Sequence, residues 1–262
     1  MTRLPMFRRL ILLTLVLLGL AGCAAGREPH DPMEPWNRKV MAFNDQVDAL
    51  ALKPLAIVYR DAVPALARTG VSNFFGNLSD VWSAANSLLQ LKIQNTADSV
   101  LRVSVNTVFG LGGLLDIATE AGIERHREDF GQTLGRWGVG AGPYLVLPIL
   151  GPSTLRDTVA LPVDIKGDPM GQLVSDSART GLSVLRAVDF RANVLRASDV
   201  LDQAALDRYR FIRDAYLQRR RSEVLDGADE GDRADDNAGK MEDPSRAEPS
   251  VPPATPVAAP AR

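Results

Sequence analysis

Apolar residues recur at helical spacing near the start of the mature chain. The first series advances by four, three, four and three residues, and its members are Trp36, Val40, Phe43, Val47 and Leu50. Such steps place side chains on one face of an α-helix, so the series predicts an amphipathic helix. Pro35 suits the first turn, where the missing N–H costs no hydrogen bond, and Pro54 is expected beyond the helix end.

Three later stretches have the same spacing. They comprise Val81, Ala85, Leu88 and Leu91; Ala97, Leu101, Val105 and Val108; and Leu201, Ala205, Tyr209, Ile212 and Tyr216. The sequence contains no series of short alternating strands separated by turn signals, which disfavours an all-β sandwich or barrel. The sequence therefore predicts a mainly α-helical fold.

The N-terminus has the layout of a secretory signal. Three arginines precede a run at residues 10–20 that is apolar except for one threonine, and the run ends in Leu20-Ala21-Gly22-Cys23. This ending resembles the bacterial lipobox, whose cysteine receives diacylglycerol before cleavage. An ordinary signal peptide or an anchor helix with an incidental cysteine is the alternative, but Cys23 is the only cysteine of the chain. We predict a signal peptide at residues 1–22, a lipid anchor at Cys23 and a linker over residues 23–30.

Two uncharged segments break the amphipathic pattern. Residues 103–115 and 137–155 contain no charged side chain, and the second holds four glycines and three prolines. Each proline removes a backbone donor, so a straight membrane-spanning helix through residues 137–155 is not expected. In a soluble protein a buried core with tight turns would explain both segments. In a chain that is tethered to a membrane, they are also candidates for a part that dips into the bilayer or borders a lipid path.

The composition indicates an acidic C-terminal tail and argues against nucleic acid as a partner. The chain has 262 residues, of which 45% are hydrophobic and 24% charged, a balance typical of globular proteins. Residues 223–262 carry ten acids and four bases and are rich in proline, so we predict a disordered acidic tail after a helical domain at residues 31–222. The part of the chain between Cys23 and Ser222 has a net charge close to zero, which gives no electrostatic reason to expect nucleic acid as a partner.

Residues typical of catalytic or metal-binding sites are sparse. His30 and His126 are far apart and have no neighbouring histidine or cysteine, and lipidation would consume the only thiol. No serine-hydrolase elbow or phosphate-binding loop occurs. Glu128 and Asp129 are expected in a solvated charged turn. We therefore predict no catalytic residue, no metal site and no cofactor, and a protein that is not an enzyme.

The last predicted helix is rich in arginine. Its basic residues are Arg208, Arg210, Arg213, Arg219, Arg220 and Arg221. They complement the negative end of the helix dipole. Two interpretations stay open: a solvated helix end, or a contact for lipid headgroups or an acidic partner.

Three ordered motifs carry a family resemblance. They are Asp31-Pro32-Met33-Glu34-Pro35-Trp36-Asn37-Arg38; the stretch from residue 101 that leads into Gly110-Leu111-Gly112-Gly113-Leu114-Leu115-Asp116; and Glu128-Asp129-Phe130-Gly131-Gln132-Thr133-Leu134-Gly135, continued by Gly142-Pro143-Tyr144-Leu145-Val146-Leu147-Pro148. In this order they resemble the MlaA family, also called VacJ lipoproteins. The acidic tail departs from the family pattern.

The resemblance implies an outer-membrane lipoprotein that maintains lipid asymmetry. It implies a single ring-like helical domain in the inner (periplasmic) leaflet, with a passive amphipathic path for phospholipids from the outer leaflet to a soluble periplasmic carrier. A trimeric porin is the implied membrane partner. Ala24 after the cysteine fits sorting to the outer membrane by resemblance to Gram-negative lipoproteins. The alternatives are a structural lipoprotein that scaffolds a porin without conducting lipid, and a lipid-modifying enzyme with an unrecognised carboxylate site.

We expect the two uncharged segments to border the lipid path. The candidate residues are Asn106, Gly110, Gly112, Gly113, Gly138, Gly140, Pro143 and Tyr144. Glycine permits close backbone packing or mobility there, although each glycine taken singly is equally well explained by a tight turn.

Overall fold

The computed structural model describes residues 31–226. The predicted signal peptide, Cys23, the linker and tail residues 227–262 lie outside this range. The helices are α1 (Glu34–Val47), α2 (Lys53–Ala62), α3 (Ala65–Leu89), α4 (Ile93–Val108), α5 (Ile117–Glu120), α6 (Phe130–Arg136), α7 (Leu155–Gly167), α8 (Met170–Leu173), α9 (Asp176–Ala204) and α10 (Arg208–Leu225), with strands β1 (Tyr144–Leu147) and β2 (Gly151–Thr154) between α6 and α7. The mainly α prediction is confirmed.

Helical structure continues past Pro54, where the sequence predicted that the first helix would already have ended. A π-helical turn at Asp48–Leu52 joins α1 to α2, and Pro54 lies in the first turn of α2. A proline ring clashes with the carbonyl four residues earlier and its nitrogen donates no hydrogen bond. The wider π turn, in which Lys53 N bonds to Asp48 O, carries the chain past this position without breaking it.

Helices α3 and α4 form an antiparallel hairpin whose apolar stripes face outward. Leu88, Leu101 and Val108 are exposed, whereas Asp80, Arg102 and other polar residues of the same helices are buried. The predicted helical stretches are confirmed, apart from Leu91, which lies beyond α3 in the left-handed region at φ 60°. The sequence pattern gave the amphipathic faces but not the direction in which each face points.

The interior is polar to an unusual degree. Among residues 31–226, nineteen buried residues are polar or charged and twelve are hydrophobic. One small apolar cluster contains Val40, Tyr144, Val146 and Tyr209, and a second contains Ala56, Ala192 and Leu195. None of the described helices has both the length and the apolar character needed to cross a bilayer.

The segment at residues 137–155 contains a short β-hairpin that the sequence analysis missed. Strands β1 and β2 are antiparallel, with Tyr144 opposite Thr154 and Leu147 opposite Gly151. Asn37 of α1 donates to the Tyr144 carbonyl at 2.9 Å and accepts from Val146 N at 2.8 Å. These side-chain bonds satisfy backbone groups on the free edge of β1, which explains why two four-residue strands persist.

The predicted late helix is interrupted. Helix α9 ends at Ala204 and α10 begins at Arg208, so the apolar series from Leu201 to Tyr216 spans two helices. Asp207 precedes α10 and its side chain accepts a hydrogen bond from Arg210 N, which is N-capping. Helix α10 then continues through Leu225, three residues past the predicted end of the helical domain at residue 222.

Candidate functional site

A cavity of about 1270 Å³ lies between α3 and α9. Helix α3 contributes Ser72, Phe75, Ser79 and Ser83 to its wall, and α9 contributes Arg179, Ser183, Arg186, Phe190 and Asn193. Both series advance by three or four residues, so each is one face of a helix. We call this space the large cavity.

Its wall mixes charged pairs with apolar surface. Arg186 bonds to Asp168 at 2.6 Å and donates to Ser79 Oγ at 2.9 Å. Phe75, Trp82, Ile165, Met170 and Phe190 supply apolar groups. A wall of this kind offers polar partners and hydrocarbon contact within the same space.

Gly167 fixes one aromatic group of this wall. A Cβ at Gly167 would lie on the Trp82 ring, so only glycine lets α7 approach α3 there. The Trp82 indole N–H donates to Asp164 Oδ1 at 2.8 Å, and Phe130 N donates to the same oxygen at 2.8 Å. Burial raises the pKa of Asp164 even though these hydrogen bonds oppose the shift.

A second cavity of about 1090 Å³ adjoins the first. The residues that line both are Arg125, Arg127, Glu128, Gln132, Arg219 and Glu223. This side cavity reaches from the α3–α4 turn to the end of α10, and Lys92 in its wall bonds to Glu128 Oε1 at 2.8 Å. The shared wall makes the two cavities neighbouring chambers.

The prediction of a solvated turn at Glu128 and Asp129 is wrong. Glu128 is buried and bonds to Lys92 and Gln90, while Asp129 caps α6 and pairs with Arg220 at 2.6 Å. Nearby, His126 Nε2 lies 3.2 Å from Asp98 Oδ2. The acids in this turn therefore hold elements together, because Lys92 and Arg220 reach them from α3–α4 and from α10.

The arginines of α10 also divide between structural and solvent-facing roles. Arg220 is buried and contacts Asp129, Asp157 and Glu223. Burial alone would lower the pKa of its guanidinium, but the hydrogen bonds and charges of Asp129 and Asp157 raise it. Arg213 pairs with Asp31 and Arg208 with Asp45. Arg210, Arg219 and Arg221 are exposed, so the open interpretation of a solvated or headgroup-contacting surface is limited mainly to these three arginines.

A buried ion network joins α3, α4 and α5. Arg102 is 1% exposed; it bonds to Asp80 at 3.3 Å and to Asp116 at 2.8 Å. Burial raises the pKa of Asp116, but hydrogen bonds from Thr119 and Asn106 and the Arg102 charge outweigh it and lower the pKa to about 2. The predicted path residue Asn106 belongs to this network, because it donates to Asp116 and accepts from Ala118 N.

None of the eight predicted path residues lines the large cavity or the side cavity. Asn106, Gly110, Gly112 and Gly113 lie together around the turn after α4, where Gly113 at φ 94° abuts the Asn77 side chain. Gly138, Gly140, Pro143 and Tyr144 lie together before and in β1. Tyr144 is buried in the first apolar cluster, and the Pro143 carbonyl accepts from Leu155 N at 3.0 Å. Gly112, Gly138 and Gly140 face open space.

The turn after α4 and the tip of the β-hairpin both present apolar side chains to the exterior. Val108, Phe109 and Leu111 are exposed around the first turn, and Ile149 and Leu150 at the tip of the β-hairpin. Leu111 and Ile149 adopt φ values of 55° and 66°, a left-handed conformation that favours glycine or asparagine. Both positions therefore combine an exposed large apolar side chain with a strained backbone conformation.

The residues that line the cavities were not among those predicted from the sequence. A signal was present, since small polar and charged residues repeat at helical spacing in α3 and α9, opposite or between the apolar positions. The prediction rested on the apolar stripe of each helix, whereas the cavity walls are formed by the polar stripe. Only the packing of α3 against α9 places Ser79 and Arg186 in contact across the large cavity.

Comparisons with known proteins agree with one another. The chain matches the family MlaA, described as MlaA lipoprotein, over residues 29–223. It is 36% identical over 219 residues to the intermembrane phospholipid transport system lipoprotein MlaA of Escherichia coli (strain K12), covering 80% of this chain and 86% of that protein. It is 38% identical over 204 residues to an uncharacterized protein of Rickettsia bellii (strain RML369-C), covering 78% of this chain and 79% of that protein.

A solved structure also matches. It comes from work on the structural basis for maintenance of bacterial outer membrane lipid asymmetry. The TM-score is 0.62 at 35% sequence identity, and the match covers 76% of this chain and 100% of that chain.

Proposed function

Because the chain belongs to the MlaA lipoprotein family, we propose that it is a lipoprotein of an intermembrane phospholipid transport system that maintains outer-membrane lipid asymmetry. In this proposal Cys23 anchors the chain to the periplasmic face of the outer membrane. The domain lies in the inner leaflet beside a trimeric porin, and phospholipids that have strayed into the outer leaflet pass through it to a soluble periplasmic carrier.

One observation supports the proposal above the others: a cavity with charged and apolar groups in its wall lies inside a domain that exposes many large apolar side chains. A phospholipid headgroup in hydrocarbon would cost several kcal/mol, on the order of the cost of any unsatisfied polar group in lipid. The pairs and hydroxyls of the large cavity offer that headgroup partners, while Phe75 and Phe190 contact acyl chains. The path lowers a barrier and supplies no energy, so direction comes from the partners.

The exposed apolar turns suit contact with lipid. Large apolar side chains at Phe109, Leu111 and Ile149 would lose little in a hydrocarbon environment and would otherwise form a patch that invites association. We keep the proposal that the two uncharged segments, with the eight residues predicted from them, border the path where it meets the bilayer. Gly140→Leu tests it, because a Cβ at Gly140 meets no atom within 4 Å and the variant should fold. If Gly140 borders the path, this variant should leave phospholipid in the outer leaflet elevated.

Two alternative functions have to be distinguished from the lipid path by experiment: a scaffold for a porin and a lipid-modifying enzyme. A scaffold that holds a porin would use the exposed apolar surface and have no use for the large cavity. A lipid-modifying enzyme would depend on one acid, whereas most acids in these walls pair with a cation or bond to a neighbouring group. Catalysis is therefore not part of the proposal, and transport of a lipid requires no bond to break.

The decisive experiment obstructs the large cavity. Ser183 and Ala187 are exposed positions of α9 in its wall, and Ala197 is an exposed position of the same helix outside both cavities. Cells that lack the chain are complemented with wild type, Ser183→Trp, Ala187→Trp or Ala197→Trp, and phospholipid in the outer leaflet is measured. We expect the first two variants to leave surface phospholipid elevated and Ala197→Trp to restore the wild-type level.

Equal rescue by all variants at equal protein level would contradict the conduit and favour the scaffold. A Cys23→Ala variant tests the anchor separately, since an unanchored protein with an open cavity should not rescue. Rescue by Cys23→Ala would contradict the need for lipidation without affecting the cavity.

A further inference from the structure

Asp189 differs from most other acids in the wall of the large cavity. It is buried, with 5% of its surface exposed, and no arginine or lysine of residues 31–226 lies within ion-pairing distance of its carboxylate. Asp80, Glu128, Asp129, Asp168 and Glu223 each have a cation partner. A buried carboxylate without a cation is costly, so such a group is usually paired.

Three neutral donors hold Asp189 in place. Tyr59 Oη donates to Oδ1 at 3.0 Å, Ser72 Oγ to Oδ2 at 2.7 Å, and Asn193 Nδ2 to Oδ2 at 3.3 Å. A carboxylate accepts about four hydrogen bonds, so one acceptor site remains. The donors fix the orientation of the carboxylate and leave its charge uncompensated at the cavity wall.

Asp164 is the other acid of the wall without a cation, and it is differently placed. Its Oδ1 is engaged by the Trp82 indole and by the backbone N–H of Phe130 at the start of α6. Asp189 instead has a positive group one helical turn away, because Arg186 is three residues earlier on α9 and lines the same cavity. Arg186 uses one N–H on Asp168 and one on Ser79, which leaves further donors of its guanidinium fork.

An acid and an arginine one turn apart match a zwitterion whose two charges are a few ångströms apart. We propose that Asp189 and Arg186 form a headgroup subsite for an amine-bearing phospholipid, in which the Asp189 carboxylate accepts hydrogen bonds from the lipid ammonium and Arg186 contacts its phosphate. The subsite rests on the proposed function, since it presumes that the large cavity receives phospholipid. It adds a headgroup preference for ethanolamine-type over glycerol-type lipids, because the latter have a phosphate but no ammonium.

The test is a competition between two lipids. Full-length lipidated protein in nonionic detergent is incubated with mixed micelles containing equal amounts of phosphatidylethanolamine and phosphatidylglycerol, and the bound lipids are quantified by mass spectrometry. We expect wild type to bind more of the ethanolamine lipid. Asp189→Asn, which keeps the size of the side chain and removes its charge, should lower the bound ratio by about tenfold or more, the fold-change that corresponds to one hydrogen bond to a charged group.

Three further variants separate recognition from folding. Asp199→Asn removes an exposed acid of the same helix that pairs with Lys53, and should leave the ratio at the wild-type value. Tyr59→Phe removes one hydrogen bond to the Asp189 carboxylate but keeps its charge, and should also keep the ratio. Arg186→Gln should reduce the amount of both lipids and change the ratio by less than about twofold, since both carry a phosphate.

Each outcome has a distinct meaning. A wild-type ratio in Asp189→Asn, or an equal loss in Tyr59→Phe, would overturn the headgroup subsite. Wild type that binds both lipids without preference would overturn it too and leave the proposed function intact. Wild type that binds neither lipid would remove the support for both.

Discussion

Two regions of this molecule use the same kind of amphipathic helix in opposite ways. In the α3–α4 hairpin the polar face points inward, to the network around Arg102, and the apolar face points outward. Where α10 packs against α1 and the β-hairpin, its apolar residues Tyr209 and Tyr216 point inward and pack with Val40, Tyr144 and Val146, although Trp36 and Phe43 of α1 are exposed. The difference shows that an amphipathic pattern specifies two faces, and that the surroundings select which one is buried.

The two regions also differ in what holds them together. The apolar cluster loses water-exposed area, which stabilises it in the manner of any soluble core. The α3–α4 hairpin is held by hydrogen bonds between charged groups, in which Arg102 of α4 joins Asp80 of α3 to Asp116 at the start of α5. A buried ion pair contributes little net free energy when complete, but removing one partner leaves an uncompensated charge. The polar interior should therefore tolerate loss of a partner less well than the apolar cluster tolerates loss of methyl groups.

The largest effect is expected at Arg102. Replacing it with methionine leaves Asp116 without its cation and the buried Asp80 with Arg125 alone, and should lower the free energy of unfolding by about 3–5 kcal/mol. Denaturant titration of the purified protein in detergent measures the change. Arg60→Met, which removes an exposed pair with Asp61, should leave the midpoint unchanged. A loss of stability in Arg102→Met no larger than that of a single core substitution would mean that the ion network is no more sensitive to the loss of a partner than the apolar cluster.

A smaller effect is expected in the apolar cluster. Val146→Ala removes two methyl groups from a site that is 3% exposed and should lower the free energy of unfolding by about 2 kcal/mol, from lost transfer energy and a residual cavity. The same titration measures it. A loss larger than that of Arg102→Met would reverse the comparison.

Acid should separate the two regions further. The folded pKa of Asp116 is about 2, below its unfolded value of about 3.9, so its contribution is present above about pH 4 and is lost as the pH falls towards 2. We expect the stability difference between wild type and Asp116→Asn to shrink over this range. The difference between wild type and Val146→Ala should stay constant, because valine does not titrate. A pH-independent Asp116→Asn difference would count against the ion network.

The smallest effect is a gain in stability. Ile149→Asn relieves a left-handed conformation at φ 66° and should raise the free energy of unfolding by about 1 kcal/mol, while weakening binding to phospholipid vesicles. Leu150→Asn is the matched control, since Leu150 is exposed beside it without a positive φ; it should weaken binding without the gain. Unchanged vesicle binding in both variants would show that the tip of the β-hairpin does not contact lipid.

The prediction of the fold from sequence succeeded where periodicity was long and local. The helices around Val40, Val81 and Leu101 follow from spacing alone, because a helix repeats every 3.6 residues whatever surrounds it. The β-hairpin was missed because its strands are four residues long and depend on Asn37 and Asn44 of a distant helix. The break before Arg208 was missed because the apolar series happened to stay in phase across it.

The prediction of the site was weaker for a related reason. The sequence singled out uncharged and glycine-rich segments, and these form exposed turns, whereas the cavity walls come from polar faces of α3 and α9, about a hundred residues apart. Nothing local marks Ser79 and Arg186 as neighbours. The acids at Glu128 and Asp129 were likewise misjudged, because their partners Lys92 and Arg220 are distant in the chain.

The sequence by itself determined the mainly helical content, the amphipathic faces and the motifs of the family. The tertiary structure decided which faces are buried, which charges meet and where the cavities lie. The physical reason is that helix periodicity is a property of neighbouring residues, whereas burial and ion pairing depend on elements that packing alone brings together, and on whether the surface outside is water or lipid.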